Sequence, residues 1–495
     1  MISFIAGAAL VLSFAPFEWY FVAFISLAIL FYFWSTGSAK ANFYSGFSFG
    51  LGLYGFGVSW VYVSLSTYGG MPFWMGFIAV LGFASLLALF IAVTGYLVAR
   101  LFKSFRLLAI PFLWLLFEWS KSWVLTGFPW LDIGYSQTPS LLFNWAPVGG
   151  VYLVSFVVLV VAACLASMVF CYKNKIKDIR IGYIFPTSAI FLFVASSFFL
   201  KYVNWGEPVG SPLQVGVIQP NTPIEEKWKP DYQSTLITKL ASLSEQLSKE
   251  SKSDLIIWPE TALPLYTHQT NQSFWQSVKP QGAEILTGIM DSPNPNDRDE
   301  IYNAAVLTCK GGTPTVYRKA HLVPFGEYLP LRFLFNWVLE YLQLPMSDLS
   351  SWEGTQSLDC GESIKIGLSI CYEDAFSNEH RKMAGDATML VNISEDAWFG
   401  DSFAPHQRKQ MAQMRAAELA RPLVRSANSG PSLFIDVKGR VLLQTAQFEV
   451  AAVSHSVQPY AGVTLFKRFG NWVIYLSFFV LLLLLFVSRK LQNNT

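Results

Sequence analysis

The chain has 495 residues, of which 53% are hydrophobic, 16% aromatic and only 14% charged. Soluble domains carry about a quarter of their residues as Asp, Glu, Lys and Arg, so this composition excludes a simple soluble enzyme, a disordered chain and a charge-rich scaffold. With 35 basic against 33 acidic residues, a formal charge of +2 leaves no surplus to neutralise a phosphate polymer, and no nucleic-acid partner is expected.

A membrane-spanning helix needs about 20 largely apolar residues, and the first 200 residues supply such runs repeatedly. Spans are read near 2–14, 18–34, 44–65, 73–99, 106–124, 150–171 and 182–200, with an eighth at 471–488 (NWVIYLSFFVLLLLLFVS). The first is short, ends at Ala15-Pro16 and lacks a basic start, so it is read as a helix in preference to a cleaved signal. Basic residues set the orientation. Lys40, then Arg100, Lys103 and Arg106, then Lys173, Lys175, Lys177 and Arg180, and finally Arg489 and Lys490 all fall on one side if eight helices alternate; Lys467 and Arg468 fall on the other, but they abut a large translocated domain, where the rule is weak. The opposite loops, 66–72 and 125–149, contain no Lys or Arg. Both termini are therefore expected in the cytoplasm, and residues 201 to about 466 outside it. Glu118 and Lys121 lie inside the fifth span, three apart on one helical face. Ionisable residues at membrane depth are functional candidates by default, and here a structural pair, snorkelling and a lipid-headgroup contact all fit.

Between 213 and 457 short β-branched runs alternate with polar helical stretches. Strands are predicted at 213–218, 254–258, 284–288, 303–308, 364–370, 388–393, 422–427, 432–437 and 440–444, and helices over 230–250 and 404–421. The expected organisation is a membrane domain over 1–200, an α/β catalytic domain over 213–457 and a final helix over 471–488. Cys164, Cys171, Cys309, Cys360 and Cys371 are too scattered for a disulfide framework and include no CxxC; whether Cys309 and Cys360 pair stays open. The five histidines form no HExxH, so no metal is expected.

Three predicted strands or hairpins end in a reactive residue. Glu260 follows LIIWP, Lys319 follows TVYR, and Cys371 follows IKIGLSI. Taken singly, each has an ordinary reading: a loop carboxylate, a solvated strand end and a small buried hydrophobe. Together they supply what acyl transfer through a thiol requires, namely a base, a cation for the developing oxyanion and a nucleophile. The turn from an apolar strand into Cys371-Tyr372-Glu373 predicts an elbow that presents the sulfur.

The motifs WPET (258–261), YRKAHLVPFGEYLP (317–330) and ICYED (370–374) resemble the carbon-nitrogen hydrolase, or nitrilase, superfamily. GVSWVYVSL (57–65), TGFPW (126–130), VIQPN (217–221), DAWFGDS (396–402) and PHQ (405–407), set among eight spans, are similar to the bacterial apolipoprotein N-acyltransferase family. The resemblance implies an α-helical membrane domain of about eight transmembrane helices and an extracytoplasmic α-β-β-α nitrilase-like sandwich, in the bacterial inner membrane with the catalytic domain in the periplasm. It implies Cys371 as nucleophile, Glu260 as general base, Lys319 as oxyanion stabiliser and Glu327 as the carboxylate holding Lys319. Asn303, Tyr372, Glu373 and Trp398 match positions that line or gate the site.

The implied reaction moves an acyl chain from a phospholipid, phosphatidylethanolamine at its sn-1 position, to the α-amine of a diacylglyceryl-cysteine lipoprotein. The ester is already activated, so no cofactor is expected. Residues 331–343 (LRFLFNWVLEYLQ) place Arg332, Asn336 and Glu340 every four positions against an otherwise apolar face, which fits an interfacial lid or a core helix equally. The rival readings are a membrane-anchored amidase acting on a small amide, and a transporter or sensor whose soluble domain binds ligand.

Overall fold

The computed structural model describes residues 1–176, 178–294, 300–309, 313–335, 348–354, 357–360 and 364–493. It divides into two compact units. One comprises Met1–Tyr62, Pro72–Asn204 and Thr464–Thr495; the other comprises Val63–Met71 and Trp205–Val463.

The first unit is helical. Among the described residues, four helical stretches are long and apolar enough to cross a membrane: Phe73–Leu101, Leu141–Lys173, Gly182–Leu200 and Trp472–Leu491. They account for four of the eight spans read from hydropathy. The other four are shorter, less apolar or interrupted: Ile2–Leu10 and Phe21–Thr36 are short, Ala39–Gly57 is rich in Gly and Ser, and Arg106–Ser120 has Pro111 inside it. Apolar runs continue beyond helix ends through 3₁₀ turns and Gly or Pro breaks, so hydropathy overstates helix length. The 9 residues of Ile2–Leu10 rise only about 14 Å, against a hydrocarbon core of about 30 Å. The run read over 44–65 is shifted for a similar reason. Its helix begins at Ala39, where the Ser38 hydroxyl accepts from the Ala41 N–H at 3.2 Å, and ends at Gly57.

Close helix contact in this unit depends on small residues. A Cβ at Gly46 would stand 2.9 Å from the Ile91 carbonyl oxygen, and one at Gly50 would stand 2.6 Å from the Ala88 Cα. Helices surrounded by lipid gain little from hydrophobic exclusion, so backbone approach through a small-xxx-small stripe supplies the packing. Lys121 and Glu118 are both buried. Lys121 Nζ lies 2.9 Å from Asp132, 3.1 Å from the Tyr54 hydroxyl and 3.2 Å from the Trp130 carbonyl. Glu118 accepts from Trp114 Nε1 at 3.0 Å, from the Ile133 N–H at 3.2 Å and from the Ser155 hydroxyl. Lys121 therefore neither snorkels nor meets a headgroup. It neutralises Asp132, a partner from beyond its own helix.

The second unit is a sandwich of two six-stranded sheets. A short pair, β1 (Glu207–Pro208) with β14 (Tyr460–Ala461), lies apart from them. β2 (Leu213–Gln219), β3 (Leu255–Ile257), β4 (Glu284–Asp291), β5 (Tyr302–Leu307), β6 (Thr315–Arg318) and β13 (Ala451–Val457) form the first sheet in the order β13-β2-β3-β4-β5-β6. β7 (Leu358–Cys360), β8 (Ile364–Ile370), β9 (Met389–Ser394), β10 (Leu423–Ala427), β11 (Leu433–Ile435) and β12 (Val441–Gln444) form the second in the order β12-β11-β10-β9-β8-β7. Each sheet has a parallel centre, β2-β3-β4 or β8-β9-β10, flanked by antiparallel strands. β6 is the strand or hairpin read as TVYR before Lys319, whereas β7 and β13 carry too little alternation to be read from sequence, and sheet pairing supplies them.

Period-two alternation explains the layers. Val215, Val217, Leu255, Ile257, Leu286, Ala305 and Leu307 face Ile366, Leu368, Ile370, Val391 and Ile393 in the inter-sheet core. Their neighbours Ile218, Ile256, Ile285, Ala304 and Val306 turn the other way, onto Leu236, Leu240 and Leu247 of the helix Pro230–Ser251 and Trp275 of the helix Gln272–Val278. The helices Ser377–Met383 and Ala404–Leu419 pack on the second sheet. The result is an α-β-β-α arrangement. Of the stretch 331–343, read as an interfacial lid or a core helix, Arg332–Phe335 forms one helical turn, and residues 336–343 lie outside the described residues.

Cys309, just after β5, and Cys360, at the end of β7, are disulfide-bonded with 5.4 Å between Cα atoms, tying the first sheet to the second across a sequence separation of 51. Replacing both by Ser should lower the unfolding free energy by up to about 4 kcal/mol. The check is the denaturation midpoint of the purified protein, which reductant should lower in the parent chain and leave unchanged in the double variant.

Candidate active site

Cys371 follows the last residue of β8 and opens the short 3₁₀ turn Cys371–Ala375 with φ +51°. A non-glycine residue in the left-handed region carries strain, and here the strain turns the chain sharply at the sulfur. The Glu373 carboxylate braces that turn. It accepts from the Ile370 N–H at 2.7 Å, the Ala320 N–H at 2.7 Å, the His321 N–H at 3.1 Å and the Tyr317 hydroxyl at 2.9 Å. Glu373 thus fastens the Cys371 turn of one sheet to the residues that follow Lys319, just beyond β6, in the other. Burial pushes its carboxyl up to about 6, against the hydrogen bonds that favour ionisation.

Glu260 sits three residues beyond β3, with Thr261 at φ +44°. A Cβ at Gly288 would stand 2.6 Å from the Glu260 Cα, so only glycine at that point of β4 lets the loop approach so closely. The carboxylate is buried. It accepts from Asn303 Nδ2 at 2.7 Å and from the Glu395 N–H at 2.8 Å, and Lys319 Nζ stands 3.5 Å away. Lys319 is fully buried and has its closest ion pair with Glu327 at 2.8 Å. Asn303 also donates to Glu327, at 2.8 Å, so one amide spans both carboxylates. The pull of Glu327 and then Glu260 outweighs desolvation and holds the Lys319 ammonium above its ordinary range.

Burial, then the Glu260 charge, push the Cys371 thiol up to about 12, against Arg408 and Lys319, which pull it down. Lys319 therefore favours ionisation of the thiol, but desolvation outweighs it. Burial thus favours the neutral thiol, which stands in the field of the Glu260 carboxylate.

The expected site residues thus fall into two groups. Glu260, Lys319, Glu327 and Asn303 form one hydrogen-bonded cluster, electrostatically coupled to Cys371. Tyr372 packs edge-on against Phe376 at 5.0 Å and against His321 at 5.8 Å. Trp398 is half-buried; its carbonyl accepts from the Ser64 hydroxyl at 2.9 Å and its ring meets Tyr68 edge-on at 6.1 Å, so the Val63–Met71 segment is its neighbour. Sequence reasoning missed a second charged layer: Arg408, Arg425, Asp374 and Asp396, all buried around the Cys371 turn. Lys227 also went unnoticed. It donates to the Glu260 carbonyl at 3.0 Å and pairs with Glu395 at 2.8 Å. A signal existed: Arg408, Met411, Arg415 and Glu418 recur at helical spacing in the helix Ala404–Leu419, so the face that looks solvated is buried.

The sandwich and this site define a carbon-nitrogen hydrolase domain, and the carbon-nitrogen hydrolase family model matches residues 214–461. The apolipoprotein N-acyltransferase N-terminal domain matches residues 6–164. The chain is 38% identical to the apolipoprotein N-acyltransferase of Methylococcus capsulatus, covering 95% of this chain and 92% of that one. It is 36% identical to that of Nitrosomonas europaea, over 97% and 95%, and 35% identical to that of Photobacterium profundum, over 95% and 91%. The chain belongs to the apolipoprotein N-acyltransferase family.

A thiol held near 12 alkylates slowly, because a free cysteine titrates near about 8.5 and the thiolate is the reacting form. Carbamidomethylation of Cys371 at pH 8 should be at least about 100-fold slower than that of an exposed cysteine. The rate should still rise with pH at pH 10, where an ordinary thiol has reached its plateau. Peptide-level mass spectrometry across pH 7 to 10 checks both.

Proposed function

We propose that this chain, a membrane-bound lipoprotein N-acyltransferase, works by two half-reactions through a thioester on Cys371. The observation that carries this reading is the buried cluster in which Asn303 and Lys319 join Glu260 to Glu327, beside a cysteine on a strained turn.

In the first half-reaction Glu260 takes the Cys371 proton as sulfur attacks the donor ester carbonyl. The C–S bond forms, Lys319 stabilises the oxyanion, the ester C–O bond breaks, and Glu260 returns the proton to the departing lysophospholipid oxygen. In the second, the acceptor amine attacks the thioester carbonyl and loses a proton to Glu260. The C–N bond forms, and the sulfur leaves and is reprotonated. Glu327 holds Lys319 in place, and Asn303 keeps Glu260 and Glu327 in fixed register. Glu373 secures the turn, while Tyr372 and Trp398 line the approach. Proton transfer concerted with attack suits a thiol that burial keeps neutral at rest. A dry site also protects the thioester from hydrolysis.

The donor is a phospholipid, with phosphatidylethanolamine at sn-1 the proposed source, and the acceptor is a diacylglyceryl-cysteine lipoprotein. Carrying a sixteen-carbon chain through water would expose apolar surface costing on the order of 12 kcal/mol. That cost favours a cysteine that meets lipid at the bilayer surface. The proposed setting is the bacterial inner membrane, with eight membrane-embedded helices, both termini in the cytoplasm and the catalytic domain in the periplasm. Two features support it: the one-sided Lys and Arg distribution, and the Cys309–Cys360 disulfide, which suits an oxidising compartment.

Purified protein incubated with phosphatidylethanolamine carrying a labelled sn-1 chain should accumulate one hydroxylamine-labile acyl group on Cys371. Cys371→Ala should abolish both half-reactions, and Lys319→Ala should fold but lose about 10²- to 10³-fold in rate. Turnover by the Cys371→Ala variant would overturn the covalent route. Hydrolysis of small amides with no acyl-enzyme from lipid would replace it with an amidase.

A further inference from the structure

The guanidinium of Arg408 is buried against the nucleophile. Its Nη1 lies 3.5 Å from the Cys371 sulfur, and its Nη2 donates to the Cys371 carbonyl oxygen at 2.7 Å. The same group is gripped from two other sides. Asp374, in the nucleophile turn, stands 3.0 Å from Nη2, and Asp396, beyond β9, stands 2.7 Å from Nη1, where the Ser394 hydroxyl also meets it. Arg425, from β10, pairs with Asp396 at 2.7 Å, so the charges in this layer balance.

We propose that Arg408 is a second cation of the catalytic set, one that stabilises the Cys371 thiolate while Lys319 serves the substrate oxygen. This rests on the thioester mechanism above and divides its electrostatic work between two sites. In each half-reaction negative charge passes through the sulfur: first when Glu260 removes its proton, then when the acceptor amine expels it from the thioester. A guanidinium in contact with that sulfur favours both events. Lys319, held by Glu327 and Glu260, is left to the carbonyl oxygen. The hydrogen bond from Nη2 to the Cys371 carbonyl also holds the residue at φ +51°, so one side chain both orients the sulfur and supplies charge.

Several charged groups face this sulfur. Glu260 beyond β3 and Asp396 beyond β9 oppose ionisation, whereas Lys319 beyond β6 and Arg408 favour it. Arg425 on β10 senses the same sulfur. Asp374 and Glu373 belong to the nucleophile turn itself. Among the described residues, Arg408 is the cation that reaches the sulfur atom itself, at 3.5 Å.

The test is the rate of Cys371 carbamidomethylation between pH 7 and 10, read site by site by mass spectrometry on the full-length protein in detergent. Arg408→Gln should slow the reaction about tenfold at every pH, while Arg408→Lys, which keeps the charge, should stay within about threefold of the parent. A purely structural role predicts the opposite, since a smaller side chain opens the pocket and speeds the reagent in both variants. Equal or faster alkylation in folded Arg408→Gln would overturn the proposal. Should that variant not fold, Arg408→Gln combined with Asp374→Asn removes both partners, leaves no orphan charge between them, and gives the same reading. Alkylation needs no lipid substrate, so its outcome is independent of whether the parent protein forms an acyl thioester.

Discussion

The structure turns on one buried ammonium. Lys319 lies between Glu327 at 2.8 Å and Glu260 at 3.5 Å, with no access to water. Removing such charges from water costs several kcal/mol each unless partners replace the lost hydration, so the surrounding architecture is committed to supplying them. Asn303 reaches both carboxylates, the Glu395 N–H caps Glu260, and the Val323 N–H caps Glu327 at 2.8 Å. β4 accommodates this cluster with glycine at residue 288, because any side chain there would displace the Glu260 backbone.

Two sheets must meet for this cluster to face a sulfur. Glu260 and Lys319 leave strands of the first sheet, and Cys371 leaves a strand of the second. The inter-sheet core of aliphatic side chains sets their separation, and Glu373 fixes it locally by accepting hydrogen bonds from both sides. In the proposed mechanism, moving the thiol proton to Glu260 relocates a negative charge without creating one. The low polarity that keeps the thiol neutral at rest is therefore compatible with rapid attack, provided that cations wait at both ends of the transfer.

The helical unit solves a related problem in an apolar setting. Lys121 and Asp132 neutralise one another away from water, and Glu118 is satisfied by Trp114, Ser155 and a backbone N–H. Gly46 and Gly50 let neighbouring backbones approach where side chains would hold them apart. In lipid, unsatisfied polar groups and loose packing are both costly, and here they are met by residues far apart in the chain.

Much of this was legible in the sequence. Strands such as LQVGVI and IKIGLSI announce themselves by β-branched density, and Glu260, Lys319 and Cys371 stand at strand ends within long motifs. Hydropathy located the apolar segments but overstated the length of four of their helices, because it does not register the 3₁₀ turns and Gly or Pro breaks that stop a helix. β7 and β13 escaped notice because pairing to a neighbour, more than any local preference, makes them strands. Composition and motif by themselves determined that the protein is membrane-bound and carries a thiol, a carboxylate and an amine suited to acyl transfer, since those properties reside in single residues. Only the tertiary structure decided which charges neutralise which, placed Arg408 on the sulfur and paired Lys121 with Asp132, because burial and electrostatic partnership depend on distances that a linear chain does not specify.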